Sequence, residues 1–130
     1  MLLTGRVVTA TGIGPDSIAL ITDAMAASGM PDGRYTLGGR EVDVADRTVR
    51  LTDGGAIAGG VATLLDAVRF CVLEAGVSLL DAVRAATATP AQALGRPDVG
   101  ELASGRRANI LLVDEGFEPV RVLHAGAWVT

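Results

Sequence analysis

A short apolar run at residues 18–22 ends in the carboxylate of Asp23 and is followed by Ala and Met, not by a basic residue. A near-continuous apolar run of this length is typical of a strand that is covered on both faces, as in a parallel sheet. Such a strand needs neighbours on both sides, and a carboxylate at a buried strand end is costly unless a partner compensates its charge. The run therefore predicts one strand of a larger sheet, with Asp23 at its carboxyl end.

The composition favours one globular domain. The chain has 130 residues, of which 49% are hydrophobic and 20% are charged. The mean hydropathy of +0.42 is high for a small free-standing domain, which predicts apolar surface left over for a partner, such as another copy of the chain. The net charge is −4, and no run of Arg is longer than Arg106-Arg107. A nucleic-acid partner needs a basic surface, so we expect none.

Cysteine usage and hydropathy predict a cytoplasmic protein. Cys71 is the single cysteine, so an internal disulfide is excluded, and its place in an apolar helical pattern predicts a core residue. We find no charged region before a long apolar core at the N-terminus, and no apolar run of the roughly 18 residues that a membrane span needs. We therefore expect no membrane association.

The periodicity along the chain predicts an α+β fold in one domain, with two to three helices packed on a sheet or sandwich. The first helix carries an apolar repeat and stops at Gly76, and the second begins at Ser78, three residues before Asp81. Thr89-Pro90 predicts the N-cap and first residue of a short helical turn that Gly95 ends. The apolar repeat is Leu64, Val68, Cys71, Val72 and Ala75; the predicted strands are residues 1–9, 18–22, 34–37, 41–44, 48–51, 110–113, 120–123 and 127–129, from both ends of the chain, and we expect the termini to meet in one sheet.

Residue types that carry chemistry are few. The one His and one Cys lie far apart, so no zinc-site spacing is present, and His124 is predicted to be a surface residue of a strand. Gly59-Gly60 precedes a helix without a following Lys-Ser/Thr pair, which favours a flexible turn over a phosphate-binding loop. Asp23 is either a turn residue after a strand or a general base at the carboxyl end of a barrel strand. Spacing leaves both interpretations of Asp23 open.

From about residue 17 onward, short motifs follow one another in a distinctive order. They are Leu20-Ile21-Thr22-Asp23-Ala24, Gly29-Met30-Pro31-Asp32-Gly33, Asp53-Gly54 with Ile57-Ala58-Gly59, Ala85-Ala86-Thr87 with Thr89-Pro90-Ala91, Leu94-Gly95, Gly100-Glu101-Leu102 and Gly105-Arg106-Arg107-Ala108-Asn109. In this order they resemble the last third of the N-acetylglucosamine-6-phosphate deacetylases, a family of the amidohydrolase superfamily. The segment 1–9 resembles the N-terminal strand of that family.

The resemblance implies a fold and a site. It implies that residues 18–22 are the last strand of a (β/α)₈ barrel. It also implies that the terminal strands belong to a small β-sandwich, together with the hairpin that the segments 34–37 and 41–44 on either side of Gly38-Gly39 predict. It implies that Asp23 is the catalytic acid/base, which moves a proton from a metal-bound water to the leaving amine. It also implies that Ile57, Ala58 and Gly59 contact the N-acetyl group of N-acetylglucosamine 6-phosphate, in a reaction of amino-sugar metabolism that uses a divalent metal such as Zn or Fe.

Departures from the family point to a remnant. The metal-binding Glu and His residues of the family, and its phosphate-binding residues, have no counterpart in this chain, in which segment 1–9 is joined directly to a C-terminal portion at 14–130. Gly60 stands where the family usually has Ser, and Asn109 where it usually has Asp. We therefore expect no metal in this chain and no deacetylation by this chain alone. The alternatives are a non-catalytic, self-associating module and a complementing half of a split amidohydrolase.

Overall fold

The computed structural model describes residues 15–46 and 48–129, and in these ranges the chain has the predicted α+β composition. The predicted strand at 1–9 lies outside the described residues, so the expectation that the termini meet in one sheet, the proposed junction to residue 14 and the single-domain boundaries stay predictions. The described elements begin with a 3-10 turn at Pro15–Ser17. The strands are β1 (Gly33–Leu37), β2 (Arg40–Ala45), β3 (Thr48–Leu51), β4 (Ile57–Gly60), β5 (Ile110–Val113), β6 (Pro119–His124) and β7 (Ala127–Val129), and the helices are α1 (Leu64–Leu73), α2 (Leu79–Ala86) and α3 (Ala88–Ala93).

The predicted hairpin at 34–44 is confirmed and opens an antiparallel sheet in the order β1-β2-β3-β4. Gly38 and Gly39, at φ +57° and +81°, close the two-residue turn between paired Leu37 and Arg40. Both turn residues need positive φ, which glycine adopts without a steric penalty. The alternating apolar residues of β2 and β3 are buried on one face and form the core of this sheet: Val42, Val44 and Val49, with Ala27 beside them.

Strand β4 corrects the prediction of a flexible turn at Gly59-Gly60. Its residues pair antiparallel with β3, Gly60 opposite Thr48 and Ile57 opposite Arg50, across a register shift. Glycine has a low strand propensity, so the local sequence gives no strand signal here. Backbone pairing with β3 outweighs that propensity.

Strands β5, β6 and β7 form a second, separate antiparallel sheet. In the described ranges, the strands before the helices and the strands after them therefore lie in different sheets. The β6–β7 turn is again two residues long, Ala125-Gly126, between paired His124 and Ala127. His124 is an exposed strand residue, as predicted.

Local capping explains where the helices begin and end. Thr63 and Asp66 form a reciprocal capping box at the start of α1, and Ser78 accepts from the Asp81 amide at the start of α2, as predicted. Gly76 follows α1 at φ +70°. Helix α3 begins earlier than predicted. It starts at Ala88 without a side-chain cap, so Pro90 is its third residue and not its first. No helix within the described ranges has the length and apolar character to cross a membrane.

Residues 18–22 do not form the predicted strand. The backbone N–H of Leu20 donates to the carbonyl of Ala85 at the end of α2, at 2.8 Å, and no strand of the described ranges pairs with the run. Instead, Leu20 packs against the core that α1 and α2 share, which contains Val68, Cys71 and Ala82. A strand covered on both faces requires two neighbouring strands, and the described chain supplies neither.

Candidate functional site

Asp23 lies in an exposed turn immediately after the apolar run, not at the mouth of a buried strand. Its φ is +50°, an uncommon conformation for a residue with a Cβ that aspartate tolerates better than most. The preceding Thr22 caps the turn, because its Oγ1 accepts from the Ala24 amide at 3.3 Å. Within residues 15–46 and 48–129, the Asp23 carboxylate has no hydrogen-bond or ion-pair partner.

Two backbone hydrogen bonds hold the turn from opposite sides. On one side is the bond from Leu20 to α2. On the other side, the Met25 N–H donates to the carbonyl of Gly60 in β4 at 2.9 Å, and Ala24 and Gly60 form a parallel bridge. These two bonds hold Asp23 between the helical core and the four-stranded sheet.

The second bond joins the segment after Asp23 to the strand that contains the predicted acetamide-contact residues 57–59. Gly59 precedes the residue that carries the bond, and a Cβ built on Gly60 would lie 3.7 Å from the carbonyl oxygen of Asp23. Ile57 is exposed, whereas Ala58 packs against the sheet core. The bonds at this junction, where the turn at Asp23 meets β4, involve Gly60, while Ile57, Ala58 and Gly59 precede it on the same strand.

Met25 is a member of this junction that sequence reasoning missed. A Cβ built on Gly59 would lie 3.2 Å from Met25 Cβ and 3.3 Å from its Cγ, so the two residues are in direct contact. The available sequence signal was weak, since it consisted of a glycine in the family-like stretch 57–59. In the structure this residue, Gly59, has a φ of +130°. Nothing in the sequence names Met25 as its neighbour.

The donor set at the junction does not fit a catalytic metal. Among the described residues, no three His, Cys, Asp or Glu side chains are grouped closely enough to hold an ion. Cys71 is buried in the helical core, where burial raises the pKa of its thiol, and His124 lies in the second sheet. A zinc site takes at least three protein ligands. The described part of the chain therefore contains no set of ligands for the divalent metal that the resemblance implies.

An open cavity of about 520 Å³ beside α3 is lined by both apolar and charged side chains and by no residue of the junction. Asp98 bridges two guanidinium groups near it, with contacts of 2.7 Å from Arg96 Nε and 2.9 Å from Arg107 Nε. These hydrogen bonds, above all the one from Arg96, lower the pKa of Asp98 to about 2. One carboxylate against two guanidinium groups leaves these three side chains with a net charge of +1, and the network links the segments at 96–98 and 107.

Comparison with known proteins identifies the family of the chain. The model of the Amidohydrolase family matches residues 43–129. The chain belongs to the amidohydrolase family. This amidohydrolase is 45% identical over 103 residues to an N-acetylgalactosamine-6-phosphate deacetylase of Escherichia coli O157:H7, an alignment that covers 78% of the chain. It is 41% identical over 101 residues to an N-acetylglucosamine-6-phosphate deacetylase of Vibrio furnissii, covering 77% of the chain.

Solved structures give the same result. The amidohydrolase superimposes on an N-acetyl-D-glucosamine-6-phosphate deacetylase of Mycobacterium smegmatis with a TM-score of 0.82 and 39% identity over 93% of the chain. A mutant of that enzyme in complex with N-acetyl-D-glucosamine-6-phosphate gives 0.81 and 40% over 92% of the chain. The resemblance drawn from the sequence motifs is confirmed.

The amidohydrolase spans only part of these proteins. It covers 27% of the Escherichia coli relative and 25% of the Vibrio furnissii relative, and 32% of the Mycobacterium smegmatis mutant chain.

Proposed function

We propose that this chain carries the acid/base and acetamide-contact part of an amino-sugar-phosphate deacetylase but does not hydrolyse the amide by itself. The observation that carries the proposal is the junction at which the Asp23 turn is bonded through Met25 to Gly60. It supports the proposal because it joins the segment that carries the exposed Asp23 to β4, the strand that contains residues 57–59. The relatives named above, which are deacetylases of N-acetylated hexosamine 6-phosphates, supply the substrate class.

The chemistry that these residues supply is proton transfer and positioning. The Asp23 carboxylate accepts a proton as the nucleophile attacks the acetamide carbonyl, and returns it to the nitrogen of the leaving amine. Gly59, without a side chain, lets an N-acetyl group approach the backbone of β4 closely. In the relatives' chemistry a divalent metal activates the nucleophile, and the described residues of this chain do not provide its ligands.

The size of the rate enhancement that one acid/base residue supplies explains why we expect this chain to be inactive alone. A positioned acid/base contributes about 10² to 10⁴-fold to the rate, whereas enzymes accelerate their reactions by about 10⁶-fold or more. Asp23 alone therefore falls short of the rate enhancement that an enzyme provides.

A cytoplasmic location, which fits the reduced and buried Cys71, is part of the proposal.

The test measures metal content and acetate release together. The purified chain is loaded with Zn²⁺ or Fe²⁺, and bound metal and acetate release are measured with N-acetylglucosamine 6-phosphate and N-acetylgalactosamine 6-phosphate. We expect less than stoichiometric metal and no acetate. Stoichiometric metal with acetate release that Asp23→Asn abolishes would overturn the proposed inactivity.

The binding half of the proposal needs a separate measurement. We expect N-acetylglucosamine 6-phosphate to shift the backbone amide resonances of Asp23 and residues 57–60 in ¹H–¹⁵N spectra. Glucosamine 6-phosphate, which lacks only the acetyl group, is the matched control and should leave those resonances in place. Equal shifts with both sugars, or none, would refute an acetamide site.

Apolar surface supports a second candidate, a self-associating module. The residues of β5, β6 and β7 are almost all exposed, and an open cavity of about 330 Å³ lined by apolar side chains lies between α2 and β5. Leu79 is 55% exposed and Trp128 is 47% exposed. Contiguous apolar surface of this kind marks interaction sites. Sedimentation at micromolar concentration distinguishes the candidates: a dimer supports self-association, and a monomer removes it.

A complementing half of a split amidohydrolase is the remaining form of the proposal. The same exposed surface would then meet a second polypeptide that carries the metal ligands. Acetate release that appears only when both polypeptides are mixed would support it.

A further inference from the structure

The side chain of Met25 occupies the space that a side chain at position 59 would fill. We propose that Met25 and Gly59 act as a positioning pair that sets the spacing between Asp23 and the backbone of residues 57–59. This inference rests on the proposed function for its catalytic meaning. Its structural part stands on contacts within the described residues.

Position 59 imposes two structural requirements that only glycine, among the amino acids, satisfies. Its φ of +130° lies in a region that side chains with a Cβ rarely adopt. In addition, a Cβ at this position would come within 3.2 Å of Met25 Cβ, closer than an ordinary van der Waals contact. Any side chain at 59 therefore strains the backbone and pushes against Met25.

Met25 has little freedom to yield. Its side chain packs against the core of the four-stranded sheet, and its Sδ accepts from the Ala27 amide at 3.0 Å. Its own amide is bonded to Gly60. Because Met25 is two residues from Asp23, a displacement of Met25 is transmitted to the Asp23 turn.

Gly60 provides the matched control. Its φ is not in the positive region, and a Cβ there would lie at an ordinary 3.7 Å from the carbonyl oxygens of Thr22 and Asp23. Gly60→Ala therefore adds the same methyl group one residue along, without the clash. The carbonyl that accepts from Met25 is retained.

The first readout is amide hydrogen exchange of the full chain, which needs no substrate. In Gly59→Ala we expect the protection of the Met25 amide to fall by about tenfold or more, as positive-φ strain implies, with protection at Val42 and Val44 unchanged. In Gly60→Ala we expect Met25 protection within about twofold of the wild type. Unchanged Met25 protection in Gly59→Ala would overturn the inference.

The second readout is the shift of the Asp23 amide with N-acetylglucosamine 6-phosphate. Should Gly59→Ala fail to fold, Met25→Ala keeps the Met25 Cβ but removes the Cγ beside position 59 and the atoms beyond it, and Met25→Leu restores most of that volume. We expect weaker sugar affinity in Met25→Ala and near-wild-type affinity in Met25→Leu. Equal affinity in all three proteins would overturn the positioning role, whereas a wild type that binds no sugar would overturn the proposed function, whatever the exchange result.

Discussion

The amide nitrogen of Met25 lies 2.9 Å from the carbonyl oxygen of Gly60. This one bond joins the turn that carries Asp23 to the strand that carries Ile57, Ala58 and Gly59. It belongs to a parallel bridge, the only parallel pairing among the strands and bridges of the described ranges. The candidate site depends on it, since no other described hydrogen bond connects the turn with β4.

Acid should weaken the loop network around Asp98. Arg96 and Arg107 lower the folded-state pKa of Asp98 to about 2, from an ordinary value of 3.8. A lowered folded-state pKa gives stabilisation that is complete above pH 3.8 and is lost as the pH falls through about 2. We expect the wild type to lose stability more steeply than Asp98→Asn between those values, measured by urea denaturation.

Comparing the wild type with Asp98→Asn isolates the titration of Asp98 from that of the other carboxylates. Asp114→Asn is a suitable companion variant, because Asp114 accepts from the Gly116 and Glu118 amides and faces no arginine among its described contacts. Identical pH profiles for the wild type and Asp98→Asn would refute the assignment.

Replacing Ala125 in the β6–β7 turn with a residue that favours positive φ should stabilise the protein. Ala125 adopts φ +50° in a two-residue turn, where alanine is strained and asparagine is favoured. We expect Ala125→Asn to raise the free energy of unfolding by about 0.5–1 kcal/mol, measured by urea denaturation. Gly38→Ala, at the corresponding position of the β1–β2 turn, should lower it by a similar amount. A decrease in stability for Ala125→Asn would contradict this account.

Close packing around Gly100 predicts a large loss on substitution. A Cβ there would lie 2.7 Å from Ala91 Cβ and 3.1 Å from the carbonyl oxygen of Thr87, at φ +93°. We expect Gly100→Ala to lower the free energy of unfolding by about 2 kcal/mol or more. In a double-mutant cycle, Ala91→Gly should recover part of the loss, since it removes the nearest atom. Strict additivity of the two changes would exclude the Ala91 contact as the cause.

Chelation should leave stability unchanged. A structural metal adds its binding free energy to folding, and the described residues contain no group that could hold one. We expect the same melting temperature with EDTA and with added Zn²⁺. A higher melting temperature in Zn²⁺ that Asp23→Asn abolishes would reveal a metal site at Asp23.

Local signals in the sequence predicted the elements whose causes lie within a few residues. The Gly38-Gly39 turn, the Ser78 cap and the Gly76 stop each act through backbone geometry or hydrogen bonds to near neighbours. The burial of Cys71 followed from helical periodicity, and the choice of Asp23 as a candidate site residue came from its motif.

Tertiary structure alone decided the rest. Residues 18–22 have an apolar pattern that suits a strand, but a strand exists only with a paired neighbour, and the described chain gives this run a helix end instead. Gly59 and Gly60 have almost no strand propensity, yet backbone pairing with β3 places them in β4. The contact of Met25 with Gly59 joins residues far apart in the chain. By itself the sequence determined the turns and caps, which depend on local φ, ψ and hydrogen bonds, whereas strand partners and the assembly of the site were decided only by nonlocal pairing.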